Sequence, residues 1–213
     1  MKAPGAAMFV PEHADLAHLR QAACDCHGCD LYRHATQTVF GAGPPDADVV
    51  LIGEQPGDQE DVLGEPFVGP AGRLLDRALA DVGIDRDTVY VTNAVKHFKF
   101  VERGKRRIHK QPGRTEVVAC SAWLNAELDL LRPRLVVCLG AIGAQAVLGP
   151  SFKVSERRGE VIDTADFRVI ATVHPSSVLR APDRTAAYEA FVADLRIVRE
   201  QLGSPPNADF AIS

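Results

Sequence analysis

Four short apolar runs punctuate the chain, at Asp48 to Gly53, Thr88 to Thr92, Arg134 to Gly140 and Phe167 to Val173. Each is rich in Val or Ile and lacks apolar–polar alternation, the pattern of strands buried on both faces of a parallel sheet. Apolar residues recur at helical spacing over Ala71 to Val82, Thr115 to Leu131, Ala141 to Leu148 and Arg184 to Leu202. A similar segment around Ala14 to Arg20 leads into a cluster of cysteines. Strand alternating with helix predicts an α/β fold, a three-layer sandwich with a central four-stranded parallel sheet and right-handed crossovers.

Ligands of open parallel sheets bind beyond the carboxyl ends of the strands. The residues there are Gly53-Glu54-Gln55-Pro56-Gly57-Asp58, Asn93-Ala94-Val95-Lys96-His97 and His174-Pro175-Ser176-Ser177, so three polar constellations should share one rim. The first has neither the glycine spacing of a dinucleotide fingerprint nor the lysine of a P-loop. Its glycines permit a tight turn that presents Glu54 and Gln55. Farther on, Phe67 stands between Pro66 and Pro70 in a glycine-containing loop, a poor core candidate and a good stacking platform for a flat base.

The 213 residues, 46% hydrophobic and 24% charged, suit one soluble globular domain spanning 1–213. About eleven residues at the N-terminus and about ten at the C-terminus, where Pro205-Pro206 lies, read as flexible. No run approaches the roughly 20 apolar residues of a membrane span and no secretory signal opens the chain, which predicts a cytoplasmic protein without a membrane partner. A net charge of −4 gives the whole no attraction for nucleic acid. Locally, Lys96, Lys99, Arg103, Lys105, Arg106, Arg107 and Lys110 face the single acid Glu102, predicting a basic patch.

Of the five cysteines, Cys138 lies in an apolar run and belongs to the core. Cys26-His27-Gly28-Cys29 has the spacing that brings two sulfurs to one metal, and Cys120 can supply a third. Cys24 is a spare, or an alternative ligand.

The strings GEQPG with a downstream ED, EPFVGPAGRLLD, YVTNAVKHFKF and ATVHPSSVLR, in that order, closely resemble the iron–sulfur branch of the uracil-DNA glycosylase superfamily, over almost the whole chain. The GEQPG variant and the inserted loop Gly104-Lys105-Arg106-Arg107-Ile108-His109 resemble its X-type subgroup, whose members stay covalently joined to the DNA they process.

The resemblance implies a monomer that flips uracil out of single- or double-stranded DNA and excises it. Phe67 would stack on the base, Asn93 would read its edge, and Gln55 and Asp58 would line the same pocket. His174 would donate to the departing uracil oxygen, and Glu54 would support the developing sugar cation or take a proton from His109. His109, oriented by Gln55, would bond to C1′ of the sugar, ending the protein's work after one turnover. Lys105, Arg106 and Arg107 would hold the loop or contact phosphate. Ser176, Ser177, Val178, Leu179 and Arg180 would enter the minor groove, with Val178 or Leu179 as the wedge, or an ordinary core residue. Cys26, Cys29, His97 and Cys120 would hold a [4Fe–4S] cluster, with His97 where relatives carry a fourth cysteine. Ligand chemistry by itself suits a structural Cys₃His zinc site equally. Two other activities fit the residues: a conventional turnover glycosylase in which His109 only binds phosphate, and a non-catalytic nucleic-acid sensor.

Overall fold

The computed structural model describes residues 4–203, so the tail expected beyond Gly203 lies outside the described residues. In chain order the elements are α1 (Leu16–Ala23), β1 (Val49–Gly53), α2 (Asp58–Leu63), α3 (Pro70–Asp81), β2 (Val89–Asn93), β3 (Phe100–Arg103), β4 (Arg106–His109), α4 (Arg114–Leu131), β5 (Leu135–Leu139), α5 (Ala141–Leu148), α6 (Val154–Arg157), β6 (Val161–Asp163), β7 (Arg168–Thr172), α7 (Pro175–Leu179) and α8 (Arg184–Gly203).

The central sheet runs β2-β1-β5-β7-β6. Its first four strands are parallel and are the four read from the sequence, while β6 pairs antiparallel with β7 at the edge. That fifth strand was not foreseen, because Val161–Asp163 is short and two of its three residues are exposed, which leaves no apolar run to recognise.

Alternation within each strand explains the unbroken apolar runs. Val49 and Leu51 of β1, with Leu135, Val137 and Leu139 of β5, face a cluster formed with Leu75 and Leu79 of α3 and Phe191, Leu195 and Val198 of α8. Val50, Ile52, Val136 and Cys138 face the opposite layer, against Leu124 and Leu131 of α4 and Ala144 of α5. Each fully buried Val, Leu, Ile or Phe among them contributes about 1.5–3 kcal/mol of transfer free energy, so both layers are held firmly to the sheet.

A third cluster lies outside the sandwich. There Ala6, Leu19 and Ala23 pack with Cys26, Cys29 and Leu31 against Val95, Ala119, Cys120 and Trp123. The N-terminal segment is pinned to α4 where Ala6 N–H donates to the Ala119 carbonyl (2.6 Å).

The inserted loop is a β-hairpin. β3 pairs antiparallel with β4 in the register Phe100↔His109, Val101↔Ile108, Glu102↔Arg107 and Arg103↔Arg106, turning at Gly104 with φ +60°. Side chains alternate across such a ribbon, so Phe100, Glu102, Arg107 and His109 share one face and Val101, Arg103, Arg106 and Ile108 the other. No described helix is long and apolar enough to cross a membrane.

Candidate active site

The carboxyl ends of β1, β2 and β7 open onto one cavity of about 660 Å³, lined among others by Glu54, Asn93, Phe67, His109, His174 and Leu179. The rim read from the sequence is therefore assembled. Its floor depends on Gly53, where a Cβ would stand 2.4 Å from Asn93 Oδ1 and 2.7 Å from Phe67 Cζ. The amide of Asn93 and the ring of Phe67 thus converge over bare backbone, leaving a slot with one flat wall and one amide.

Phe67 is only 7% exposed and packs on the core as well as lining the cavity, so the expectation that it lies outside the core is corrected. The loop folds back far enough for this because Phe67 adopts φ +59° and Gly72 has no side chain: a Cβ there would fall 1.5 Å from the Phe67 carbonyl oxygen. Glu60 secures the loop by accepting a hydrogen bond from Gly69 N–H at 2.9 Å. The Phe67 and His174 rings stack with centroids 6.2 Å apart.

His174 caps α7. Its Nδ1 accepts from Ser176 N–H (3.1 Å) and lies 2.8 Å from Ser176 Oγ. In the neutral ring the proton must then sit on Nε2. Burial pushes its pKa down to about 4, against the opposing pull of Glu54. The ring is therefore a neutral donor near pH 7. Gly140, at φ +89°, lies so close that a Cβ would meet His174 Cβ at 2.9 Å.

His109 ends β4 at the cavity mouth with half of its side chain exposed, and its Nε2 lies 3.3 Å from Glu54 Oε1. That contact lacks the alignment of a formed hydrogen bond, and buried Glu54 Oε1 takes none from the described residues. The hairpin carrying His109 is fastened twice. Gln55 spans its base, with Nε2 donating to the carbonyls of Lys99 (3.1 Å) and Lys110 (3.0 Å) while Oε1 accepts from Lys99 N–H (3.1 Å). The Gln55 side-chain amide is thereby occupied with the hairpin that carries His109.

Arg107 supplies the second fastening. It reaches from the inner face of the hairpin to Asp58 (2.6 Å), Asp61 (2.5 Å) and Thr36 Oγ1 (3.1 Å), over the rings of Phe98 and Phe100. Of the two roles open to it, holding the loop is the one this geometry serves. Asp58 lines the cavity but is half of this ion pair. Lys105 at the tip and Arg106 on the outer face are exposed, as is Arg103.

Lys96 corrects the basic patch. It is fully buried, with Nζ 2.5 Å from Glu127 Oε2, so it faces no solvent and no phosphate. Lys99 is likewise paired, to Glu116 at 2.7 Å. Val178 is corrected as a wedge: at 2% exposure it packs into the core below α7. Leu179, half-buried, lines the cavity with Ser176 and Arg180, and Ser177 is exposed. The glycine vacancies at Gly53 and Gly72 and the anchoring role of Glu60 were missed, since a sequence shows a glycine but not what approaches it.

Among the described residues no group of three or more His, Cys, Asp or Glu side chains stands as a ready metal cage. Cys26, Cys29 and Cys120 are nevertheless buried in one cluster, where the neighbouring sulfurs add to the burial that raises the pKa of Cys29 and of Cys120. Cys26 Sγ accepts from Trp123 Nε1 (3.1 Å) and Cys120 Sγ from Lys96 N–H (3.3 Å). N–H donors aimed at buried sulfurs suit thiolate ligands. Burial pushes the Cys120 thiol up to about 12, so a metal must displace its proton. His97 is buried and held neutral, with a pKa near 4, but its Nε2 is hydrogen-bonded to Thr38 Oγ1 (2.9 Å), leaving Nδ1 for a metal. Cys24 is exposed, its Sγ on the Arg20 carbonyl.

The family model described as the uracil DNA glycosylase superfamily matches residues 40–196. A Type-4 uracil-DNA glycosylase of Archaeoglobus fulgidus is 36% identical over 173 residues, 78% of this chain and 83% of that protein. Proteins of the same description from Thermotoga maritima and Sulfurisphaera tokodaii are 36% identical over 157 residues (73% of this chain, 78% of that protein) and 30% identical over 199 (89% and 86%).

Proposed function

Because the chain belongs to the uracil DNA glycosylase superfamily, we propose that it excises uracil from DNA and that His109 then captures the sugar covalently. The observation that carries the capture is His109 Nε2 standing 3.3 Å from a buried Glu54 carboxylate oxygen that takes no hydrogen bond from the described residues.

The cavity suits a flipped base: Phe67 offers a face to stack on, Asn93 an acceptor and donors for the edge of uracil. The bond between C1′ and N1 breaks with its electron pair leaving on uracil, where the Nε2–H of His174 stabilises the developing oxyanion. The remaining sugar is an oxocarbenium-like cation. His109 bonds to C1′ through the lone pair of its unprotonated ring nitrogen, the proton on its other nitrogen passes to Glu54, and uracil leaves as its N1 anion and takes a proton from solvent. Two fastenings hold the imidazole ready, so it acts at an effective molarity that dilute water does not match, up to about 10⁵–10⁸ M for well-oriented groups. Glu54 in its protonated form activates no water, and the histidine is not released.

Cys26, Cys29, Cys120 and His97 Nδ1 are assigned to a [4Fe–4S] cluster, which when bound supplies a structural cross-link between the N-terminal segment, α4 and the turn after β2. Leu179 is the wedge beside the flipped nucleotide, and Arg103, Lys105 and Arg106 contact phosphates.

Intact-protein mass spectrometry after incubation with a uracil-containing single strand tests the capture. The expected species weighs protein plus oligonucleotide minus one uracil. Free protein beside abasic DNA would instead establish a turnover enzyme, and an intact uracil in a reversible complex would establish a sensor.

A further inference from the structure

Among the described residues, a fully buried polar network lies beneath the active site. Lys96 and Glu127 are both 0% exposed and 2.5 Å apart. The ammonium of Lys96 has three donors, and all three are used: on Glu127 Oε2, on Thr92 Oγ1 (2.6 Å) and on the main-chain carbonyl of Asn93 (2.9 Å). Glu127 is equally saturated, its oxygens accepting from Tyr90 Oη (3.0 Å), Thr92 Oγ1 (3.0 Å) and Gly41 N–H (3.1 Å). The whole network therefore grips the last residues of β2, the edge strand of the parallel set, from α4 behind it.

Burying two charges is expensive, and an apolar pair of similar volume usually stabilises a fold as well or better. Stability alone is thus a weak reason for this pair. What distinguishes it is its address. Lys96 holds the carbonyl of the residue whose amide lies over Gly53 and beside Phe67, and a displacement of about 1 Å at such a group degrades catalysis strongly.

We infer that Lys96, locked by Glu127, is a positioning residue that fixes Asn93 in register with the base-binding slot. The inference rests on the glycosylase reading of that slot. Lys96 touches no substrate; it acts through Asn93.

The test compares single-turnover uracil excision by the metal-replete wild type with that of Lys96→Met/Glu127→Leu, which removes both charges together and so leaves neither stranded. The rate constant is expected to fall about tenfold or more, with the half-saturating DNA concentration unchanged, because the phosphate-facing side chains are untouched. In an Asn93→Ala background the same pair of changes should have almost no further effect, since the group it positions is gone. A lowered Tm with an unaltered rate constant, or effects that multiply independently in the Asn93→Ala background, would overturn the inference. Should that variant not fold, Lys96→Arg/Glu127→Asp keeps both charges while shifting the donor away from the Asn93 carbonyl, and is read in the same way. If the wild type itself releases no uracil, the glycosylase reading falls and takes this inference with it; normal wild-type excision beside an unimpaired variant overturns the inference alone.

Discussion

The main-chain N–H of Ser176 donates to Nδ1 of His174 at 3.1 Å, and this bond decides which nitrogen of the ring faces the cavity as a donor. A helix cap thereby doubles as a tautomer lock: the first turn of α7 needs an acceptor, and the imidazole that supplies it must carry its proton on Nε2.

His174 should accordingly titrate near pH 4 and show the Nε2–H tautomer at neutral pH in ¹⁵N-resolved spectra. The folded pKa lies below the unfolded value of 6.5, so between those values the unfolded chain binds more protons. The stability due to neutral His174 is then fully present above about pH 6.5 and is lost as pH falls toward 4. Tm should drop on acidification through that window by more in the wild type than in His174→Gln. That variant should also excise about 10²-fold or more slowly, from loss of an oriented oxyanion donor. A His174 resonance titrating near pH 6.5 would contradict both.

His109→Ala should abolish the protein–DNA adduct while uracil release continues, because the cation forms in either case and water can then reach C1′. Adduct at wild-type yield in this variant would remove His109 as the nucleophile. Glu54→Gln, which cannot take the proton, should slow adduct formation by about 10²–10⁴-fold at an unchanged Tm.

Loosening the hairpin should separate capture from excision. Arg107→Ala breaks the contacts to Asp58 and Thr36 and leaves Asp61, itself fully buried, without its cation. Stranding a buried charge is severely destabilising, on the order of 3–5 kcal/mol, so Arg107→Ala/Asp61→Asn is the cleaner variant. Its ratio of adduct to free uracil should fall at least about tenfold. An unchanged ratio would mean that the hairpin holds His109 without this clamp.

Gly53→Ala tests the slot. The added methyl would meet both Asn93 Oδ1 and Phe67 Cζ inside van der Waals distance, so the base cannot be accommodated although the backbone tolerates alanine. Excision should fall by about 10²-fold or more for a misplacement of this kind, with circular dichroism unchanged. Wild-type activity would show that uracil is held elsewhere.

The outer face of the hairpin should govern salt sensitivity. Replacing Arg103 and Arg106 by alanine removes two cations from that face, and with a contribution of about 0.7 per phosphate on single strands the slope of log affinity against log salt should flatten by roughly 1.4. A slope equal to that of the wild type would place the strand on another surface.

The order of elements was legible in the sequence because both sheet faces are buried. Continuous Val- and Ile-rich runs at β1, β2, β5 and β7 can satisfy no other environment, and their ends fell within a residue or two of those found. The local cues at the strand ends were equally readable: Glu54 and His174 follow strands, Asn93 ends one, and all three reach one rim. Chain order and residue type suffice for that, since a parallel sheet puts every strand's carboxyl end on the same side.

Only the tertiary structure could assign directions. Lys96 and Arg106 are both cations in one basic stretch, yet one is sealed against Glu127 and the other faces solvent. Val178 and Leu179 are adjacent apolar residues, yet only Leu179 borders the cavity. Whether a charge is paired, or a methyl group would find space, depends on residues distant in the chain, such as Glu127 beneath Asn93 or Phe67 over Gly53. The sequence thus determined which chemistry is present and at which end of the sheet it gathers, while long-range packing decided which of those groups meet.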